Sequence, residues 1–359
     1  MAERRGLFFL AVFVLLFVGA LAAAAGLQVT SAAVATNELP APTVSPTPPI
    51  DEEDGVIKVD TEAVNVLFTA QDKDRRLLLT LKPEDIKVFE NGQAQTVVGF
   101  SRQVDLPLSL AILIDTSASQ ERTLPQEKAA AISFIESVIR PAKDEVAIVS
   151  FTGESTLEQG MTNNVTRLRR AIDRVQFVPP SGYIGGGVLV PGTPPISGQN
   201  QAALGSTAIW DAIWVTGEEV LGPAPEKTRR AIILLSDGDN TYGQKKLADA
   251  VAAAQKAEAV IYSIGIGDDF MRGVNRGALS KVSENTGGRA YFPRDERELR
   301  EAFAQIQEEM RSQYLVAYEP TNSQLDGSFR KIEIQLTNPE LQKQKVKLTH
   351  RQGYFSKTR

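Results

Sequence analysis

The chain has 359 residues, of which 42% are hydrophobic and 23% are charged, and its formal net charge at pH 7 is −5. This balance is typical of a globular protein with a sizeable core. The negative net charge argues against non-specific nucleic-acid binding, which needs a basic surface. The chain has no cysteine and one histidine, His350, which excludes disulfides, thiolate zinc sites and His-rich metal sites.

The N-terminal segment, residues 1–27, predicts export. A basic start with Arg4 and Arg5 precedes 19 charge-free residues, Leu7 to Ala25, enough helix for about 28 Å, close to the thickness of a bilayer core. The segment is either a signal peptide, with the small-residue runs 23–25 and 33–35 as cleavage sites, or an uncleaved signal anchor. Both alternatives keep the arginines inside and place the rest of the chain outside the cytoplasm.

Residues 28–55 show no hydrophobic periodicity. They contain a Pro/Thr/Ser-rich run over residues 40–49 and an acidic cluster over residues 51–54. Such a composition is typical of an extended, disordered linker.

The two segments 56–105 and 313–359 are predicted to be β-rich. Apolar residues alternate with other residues around Val66 and around Ile334, and Asn91-Gly92 predicts a hairpin between strands 85–90 and 93–100. His350 shares a strand face with Val346 and Leu348, so we expect it to pack at a strand end rather than bind a ligand. Neither segment has enough strands to bury a face alone, which favours one shared β-sandwich.

Between these segments, residues 106–312 alternate strands with helices. Apolar runs predict strands over residues 108–114, 146–151, 231–235, 260–266 and 291–292. Amphipathic stretches predict helices over residues 125–140, 165–174, 207–221, 245–258, 275–285 and 295–311. The predicted fold class is α/β, a doubly wound and mostly parallel sheet inserted in the small β-sandwich.

Oxygen-bearing side chains cluster at the predicted carboxyl ends of the sheet strands, where such sheets bind ligands. The candidate metal ligands are Asp115, Ser117, Ser119, Thr207 and Asp237. Two carboxylates and three hydroxyls suit Mg²⁺, or Mn²⁺ or Ca²⁺, rather than zinc. With so few charged ligands the cation keeps positive character, and an open position can accept a carboxylate from a protein partner.

The block from Leu108 to Arg311 resembles the von Willebrand factor type A domain. The residues that carry this resemblance are the Asp-x-Ser-x-Ser pattern at Asp115, Ser117 and Ser119, the downstream Thr207, and Asp237 after a buried strand. The resemblance implies a Rossmann-like fold, a metal-ion-dependent adhesion site made by these five residues, and a non-enzymatic role in adhesion or protein binding. The flanking segments, with Asp326-Gly327 and residues 351–354, resemble the bacterial exported proteins known as acidobacterial VWFA-related.

One segment departs from the family pattern. Residues 178–204 form a Gly/Pro-rich insertion just before Thr207, and a loop of this length in a compact domain is usually functional or disordered. We therefore expect a mobile loop beside the metal that influences the choice of partner.

The sequence leaves two other functions open. One is an envelope assembly scaffold that partners an ATPase-driven machine; the chain itself has no Walker A sequence. The other is a serine hydrolase with Ser117 or Ser119 as nucleophile and His350 as base. The hydrolase is disfavoured because the chain has no Gly-x-Ser-x-Gly elbow and His350 falls in a different predicted module.

Overall fold

The computed structural model describes residues 63–103, 106–184, 188, 190, 203–225, 228–267 and 273–358. The predicted signal segment and the predicted linker lie outside these residues. Within the described part of the chain, no helix has both the length and the apolar character that crossing a membrane requires.

The described residues form 14 strands and seven α-helices. The strands are β1 (Val64–Gln71), β2 (Ile86–Glu90), β3 (Gln93–Ala94), β4 (Thr96–Gln103), β5 (Leu108–Asp115), β6 (Glu145–Phe151), β7 (Ser155–Thr162), β8 (Arg229–Ser236), β9 (Ala259–Gly265), β10 (Ala290–Tyr291), β11 (Gln313–Glu319), β12 (Phe329–Leu336), β13 (Lys347–His350) and β14 (Gly353–Phe355). The helices are α1 (Leu124–Val138), α2 (Val165–Arg174), α3 (Ile209–Val215), α4 (Leu247–Lys256), α5 (Arg276–Thr286), α6 (Glu296–Arg311) and α7 (Pro339–Lys343).

The central sheet has the strand order β10-β9-β8-β5-β6-β7, and all its pairings are parallel except that of β6 with β7. Every residue of β5 is buried, because apolar clusters cover both faces of the sheet. Helices α1, α2 and α6 contribute to one cluster, and α3, α4 and α5 to the other. The predicted doubly wound α/β fold is confirmed.

The edge strand β7 was not predicted. Its sequence, STLEQGMT, has no buried residue and no clean alternation of apolar and polar side chains. It is held instead by antiparallel pairing with β6, with two irregularities in the register. A strand that buries no face leaves little hydrophobic signal.

Helix α3 begins at Ile209, so the prediction of a helix starting at Thr207 was two residues early. The carbonyl of Thr207 accepts hydrogen bonds from the backbone N–H groups of Thr241 (2.9 Å) and Tyr242 (3.0 Å). These bonds hold Thr207 against the loop after β8 and outside the helix. Beyond α3, residues Thr216–Leu221 continue as a π-helical turn.

The predicted β-sandwich is also present. Its two four-stranded sheets have the orders β13-β1-β11-β4 and β14-β12-β2-β3, so each sheet combines strands from before and after the central sheet. One apolar cluster, which includes Val66, Phe68, Val316 and Ile334, lies between them. The central α/β unit is therefore inserted in a sandwich that both flanking segments build.

The predicted hairpin forms, but its second strand is shorter than expected. Asn91 and Gly92 have φ angles of 49° and 82°, as a two-residue hairpin turn requires. The predicted strand 93–100 is divided at Gln95: β3 pairs with β2, whereas β4 pairs with β11 in the other sheet. The chain thus changes sheets within a continuous extended segment, which periodicity alone does not show.

The junction between the central unit and the sandwich contains a buried carboxylate, Glu309 near the end of α6. Its Oε1 accepts hydrogen bonds from Gln71 Nε2 of β1 (2.8 Å) and from the Tyr291 hydroxyl of β10 (3.0 Å). The same oxygen lies 3.4 Å from Nη1 of Arg289. One carboxylate therefore connects α6, the central sheet and the sandwich.

Candidate metal centre

The first part of the candidate centre is the turn that follows β5. Asp115 is fully buried, and its Oδ1 accepts a hydrogen bond from the Ser117 backbone N–H (2.9 Å). Its Oδ2 accepts one from the Ser236 hydroxyl (2.6 Å). Ser236 ends the neighbouring strand β8, so this bond joins the carboxyl ends of two parallel strands and fixes the carboxylate.

Ser117, Ser119 and Asp237 lie together beside Asp115. The hydroxyl oxygens of Ser117 and Ser119 are 3.2 Å apart, and the Ser119 hydroxyl is near enough to the Asp237 carboxylate to lower its pKa. Oδ1 of Asp237 accepts from the backbone N–H of Asp239 (3.0 Å). Hydrogen bonds thus link Asp115, Ser117 and Ser119, and Asp237 lies beside them.

Thr207, the fifth candidate, is joined to this cluster through the backbone. Its N–H donates to the Thr241 hydroxyl (2.9 Å), in the loop after β8 that also carries Asp237. The preceding turn is held to the serine loop by a bond from Ala118 N to Gly205 O (3.2 Å). Thr207 is buried, at the same edge of the sheet as the other four.

Burial is the main electrostatic feature of the two aspartates. Burial is the largest cause that raises the pKa of Asp115, and the negative charge of Asp237 acts in the same direction; hydrogen bonds from Ser117 and Ser236 partly oppose both, and the net pKa is about 7. Burial also raises the pKa of Asp237, and the nearby Ser119 hydroxyl opposes this shift. The two carboxylates repel each other in a site that water does not screen.

A third acidic residue faces this pair and was not predicted. Glu127, in the first turn of α1, is fully buried, and neither carboxylate oxygen has a hydrogen-bond partner among the described residues. Burial raises its pKa to about 8, and the charges of Asp115 and Asp237 add to the effect; the nearby Thr123 hydroxyl opposes it. That hydroxyl donates to Gln120 Oε1 (2.8 Å).

The spacing of Glu127 offered a signal that was overlooked. It follows Leu124 by three residues and precedes Ala131 by four, so it falls on the stripe of α1 that faces the core. An acidic residue on an apolar stripe is seldom buried without a reason.

The chemistry of the donor set fits a divalent cation. Asp115, Asp237 and Glu127 lie near one another here, and among the described residues no basic side chain is a main cause of the pKa shift of any of them. A bound cation would supply the missing positive charge, and the donors are the hard oxygens that Mg²⁺, Mn²⁺ and Ca²⁺ prefer. Within the described residues, no three or more His, Asp or Glu side chains are grouped closely enough to hold an ion, so the serine and threonine hydroxyls would be needed as ligands.

The predicted loop 178–204 is described only in part; residues 185–187, 189 and 191–202 lie outside the described residues. Its first part does lie beside the candidate centre. Val178 N donates to the Thr116 carbonyl (3.1 Å), and the Tyr183 hydroxyl donates to the Glu121 carboxylate. At the far end, Gly205 has a φ of +69° and lies so close to Pro180 that a Cβ would be 2.7 Å from the proline ring.

His350 lies in the sandwich, as expected, and both of its ring nitrogens are engaged there. Nε2 accepts from the Ile334 backbone N–H (3.2 Å), and Nδ1 is 2.7 Å from the Arg351 carbonyl. Burial lowers its pKa. The structure therefore does not bring His350 together with Ser117 or Ser119.

Comparison with family models identifies the same domain family in two parts of the chain. Two models described as von Willebrand factor type A domain match residues 110–189 and 196–305, which together span just over half of the chain. No curated protein gives a significant match.

Several solved structures are similar to parts of the chain. Proximal thread matrix protein 1 from the mussel byssus, in a structure with a zinc-occupied MIDAS motif, is 20% identical over 61% of this chain and 49% of its own, with a TM-score of 0.44. The chain thus spans about half the length of the mussel protein. An aerotolerance-related membrane protein from Bacteroides fragilis is 15% identical over 57% of this chain and 100% of its own (TM-score 0.41). BatB from Bacteroides thetaiotaomicron is 16% identical over 58% of this chain and 100% of its own (TM-score 0.40).

The parallel sheet with helices on both faces and the two matching family models lead to the same identification. The chain belongs to the family of proteins that carry a von Willebrand factor type A domain.

Proposed function

We propose that this protein binds a divalent cation and, through that cation, a protein ligand. The cation ligands in this proposal are Asp115, Ser117, Ser119, Thr207 and Asp237, and the cation is Mg²⁺, with Mn²⁺ and Ca²⁺ as alternatives. The cation would neutralise the buried aspartates and leave a coordination position for a carboxylate of the partner. The protein acts as an adhesion or protein-interaction module and not as an enzyme.

One observation carries the proposal: two buried aspartates lie close together beside serine hydroxyls, and no basic side chain among the described residues is a main cause of their pKa shifts. Burying such charges is costly unless an opposite charge compensates them. The Ser236 and Ser117 hydrogen bonds hold Asp115 in one position, which reduces the entropy cost of binding an ion.

The proposal also includes export of the protein from the cytoplasm. The basic start and the charge-free run of residues 7–25 favour an exported protein, either anchored by that segment or released by cleavage. A role as an envelope assembly scaffold uses the same cation site with a different partner, and the two roles differ in whether the partner belongs to an ATPase-driven machine.

The cation is tested by calorimetric titration of the full chain with Mg²⁺ and Mn²⁺. Asp115→Asn keeps the shape of the side chain and removes its charge, so we expect cation binding to be lost. Asp173→Asn, in an exposed position on α2, is the matched control and should bind as the wild type does. Equal affinity of Asp115→Asn and wild type would refute the assigned ligands.

The partner is tested by pull-down from an envelope extract with the full chain as bait, in Mg²⁺ and in EDTA. We expect a protein that is retained in Mg²⁺, released by EDTA and absent with Asp115→Asn. Retention that is indifferent to both EDTA and the variant would contradict a cation-mediated interaction.

A further inference from the structure

Directly after the Asp-x-Ser-x-Ser pattern, the chain has a buried glutamine, Gln120. It ends the short 3-10 turn Ala118–Gln120, and its side chain is fully buried. A primary amide carries two N–H donors and one carbonyl acceptor, and buried amides need partners for these groups. The contacts of Gln120 therefore indicate what its amide does.

Both ends of the amide have defined partners. Oε1 accepts a hydrogen bond from the Thr123 hydroxyl (2.8 Å), and Nε2 donates to the Ser119 hydroxyl oxygen (3.2 Å). Because the carbonyl end faces Thr123, the NH₂ end is left for Ser119. Thr123 in turn is fixed by the start of α1, whose N-cap it forms.

This contact limits what the Ser119 hydroxyl can do. A hydroxyl has one proton and two lone pairs. One lone pair accepts the amide N–H of Gln120 (3.2 Å), so the proton and the second lone pair must point elsewhere. The second lone pair of Ser119 Oγ is available to Ser117 Oγ, 3.2 Å away. A cation bound by both serines would accept that lone pair.

We propose that Gln120 is a positioning residue for the cation centre: its amide N–H occupies one lone pair of the Ser119 hydroxyl oxygen and so orients that hydroxyl with its other lone pair available to the cation. This inference rests on the proposed function, since it assigns a role toward the same ion. Outer groups of this kind typically change metal affinity by about 10- to 100-fold when they are replaced.

The test is a double-mutant cycle with Mn²⁺ on the full chain. Gln120→Met has a similar volume and no donor, so we expect Mn²⁺ affinity to fall by about 10-fold or more. Ser119→Ala removes the group that Gln120 orients. In that background, Gln120→Met should therefore cost no more than about twofold further, because the two residues act as a unit.

Several outcomes separate the possibilities. Wild-type affinity in Gln120→Met, or losses that simply multiply in the double variant, would overturn the positioning role. If Gln120→Met does not fold, Gln120→Leu replaces it, since an uncharged apolar side chain cannot donate to Ser119, and the same weakening is expected. Failure of the wild type to bind Mn²⁺, or equal binding by Asp115→Asn, would instead overturn the proposed function.

Discussion

Replacing Glu127 by glutamine should remove much of the pH dependence of the cation-free protein's stability. The folded state raises the pKa of Glu127 from 4.5 to about 8, chiefly by burial. An acid whose pKa is raised on folding contributes its full stability below the unfolded pKa, and that stability is lost as the pH rises through the folded pKa. The window of loss for Glu127 is therefore pH 4.5 to about 8.

The size of the effect follows from the shift. Each pKa unit corresponds to about 1.4 kcal/mol, so the free energy of unfolding should fall by up to roughly 5 kcal/mol across this window because of Glu127 alone. Glutamine resembles the protonated acid in shape and does not ionise. Glu127→Gln should therefore match the wild type near pH 4.5 and exceed its stability by a few kcal/mol above pH 8.

The assay is urea unfolding in EDTA at a series of pH values from about 4.5 to 8.5, the range that the shift defines. Glu136→Gln is the matched control, because Glu136 lies on the same helix with an exposed side chain, and it should follow the wild-type curve. Saturating Mg²⁺ should flatten the wild-type curve, since a cation beside Asp115 and Asp237 stabilises ionised carboxylates. Parallel curves for Glu127→Gln and wild type would refute this reasoning.

Three further predictions concern other parts of the structure. Ser236→Ala removes the hydroxyl that donates to Asp115 Oδ2, so Mg²⁺ affinity measured by calorimetry should fall about 10-fold; an unchanged affinity would show that this bond does not support the centre. Gly287→Val places a side chain where φ is +87° and a Cβ would lie 2.5 Å from Arg351 N, and it should cost at least about 2 kcal/mol of stability in thermal unfolding. Residues 106–312 expressed alone should give a cooperative unfolding transition, whereas residues 56–104 alone should not, because their strands share sheets with β11 to β14; a folded monomer of residues 56–104 would contradict this.

The parts of the fold that were predictable are those in which hydrophobic periodicity and burial agree. Strand β5 is a continuous apolar run because both of its faces are covered. In β12, Ile332 and Ile334 face the core and their polar neighbours do not. The placement of Asp115 and Asp237 followed from the geometry of parallel sheets, whose carboxyl ends meet at one edge.

The parts that were missed have a common physical cause. Glu127 and Gln120 are polar residues in buried positions; the spacing of Glu127 places it on the core-facing stripe of α1, but a polar residue is normally expected to face solvent. Their burial depends on tertiary contacts: α1 lies over the end of β5, and the amide of Gln120 is enclosed by Ser119 and Thr123. The start of α3 was misplaced for a similar reason, because bonds from residues 241 and 242, distant in sequence, hold Thr207 outside the helix.

The carboxylate of Glu309 gives the molecule a mechanical property. It binds Gln71, Tyr291 and Arg289 at the place where α6 leads into β11. A tensile load applied at the candidate metal centre would cross the central sheet and reach the sandwich through this short, buried, charge-assisted connection as well as through the covalent chain. Because these contacts are short and buried, the groups that they join can move little relative to one another under load. A protein that holds a partner against shear benefits when its binding module and its base deform together.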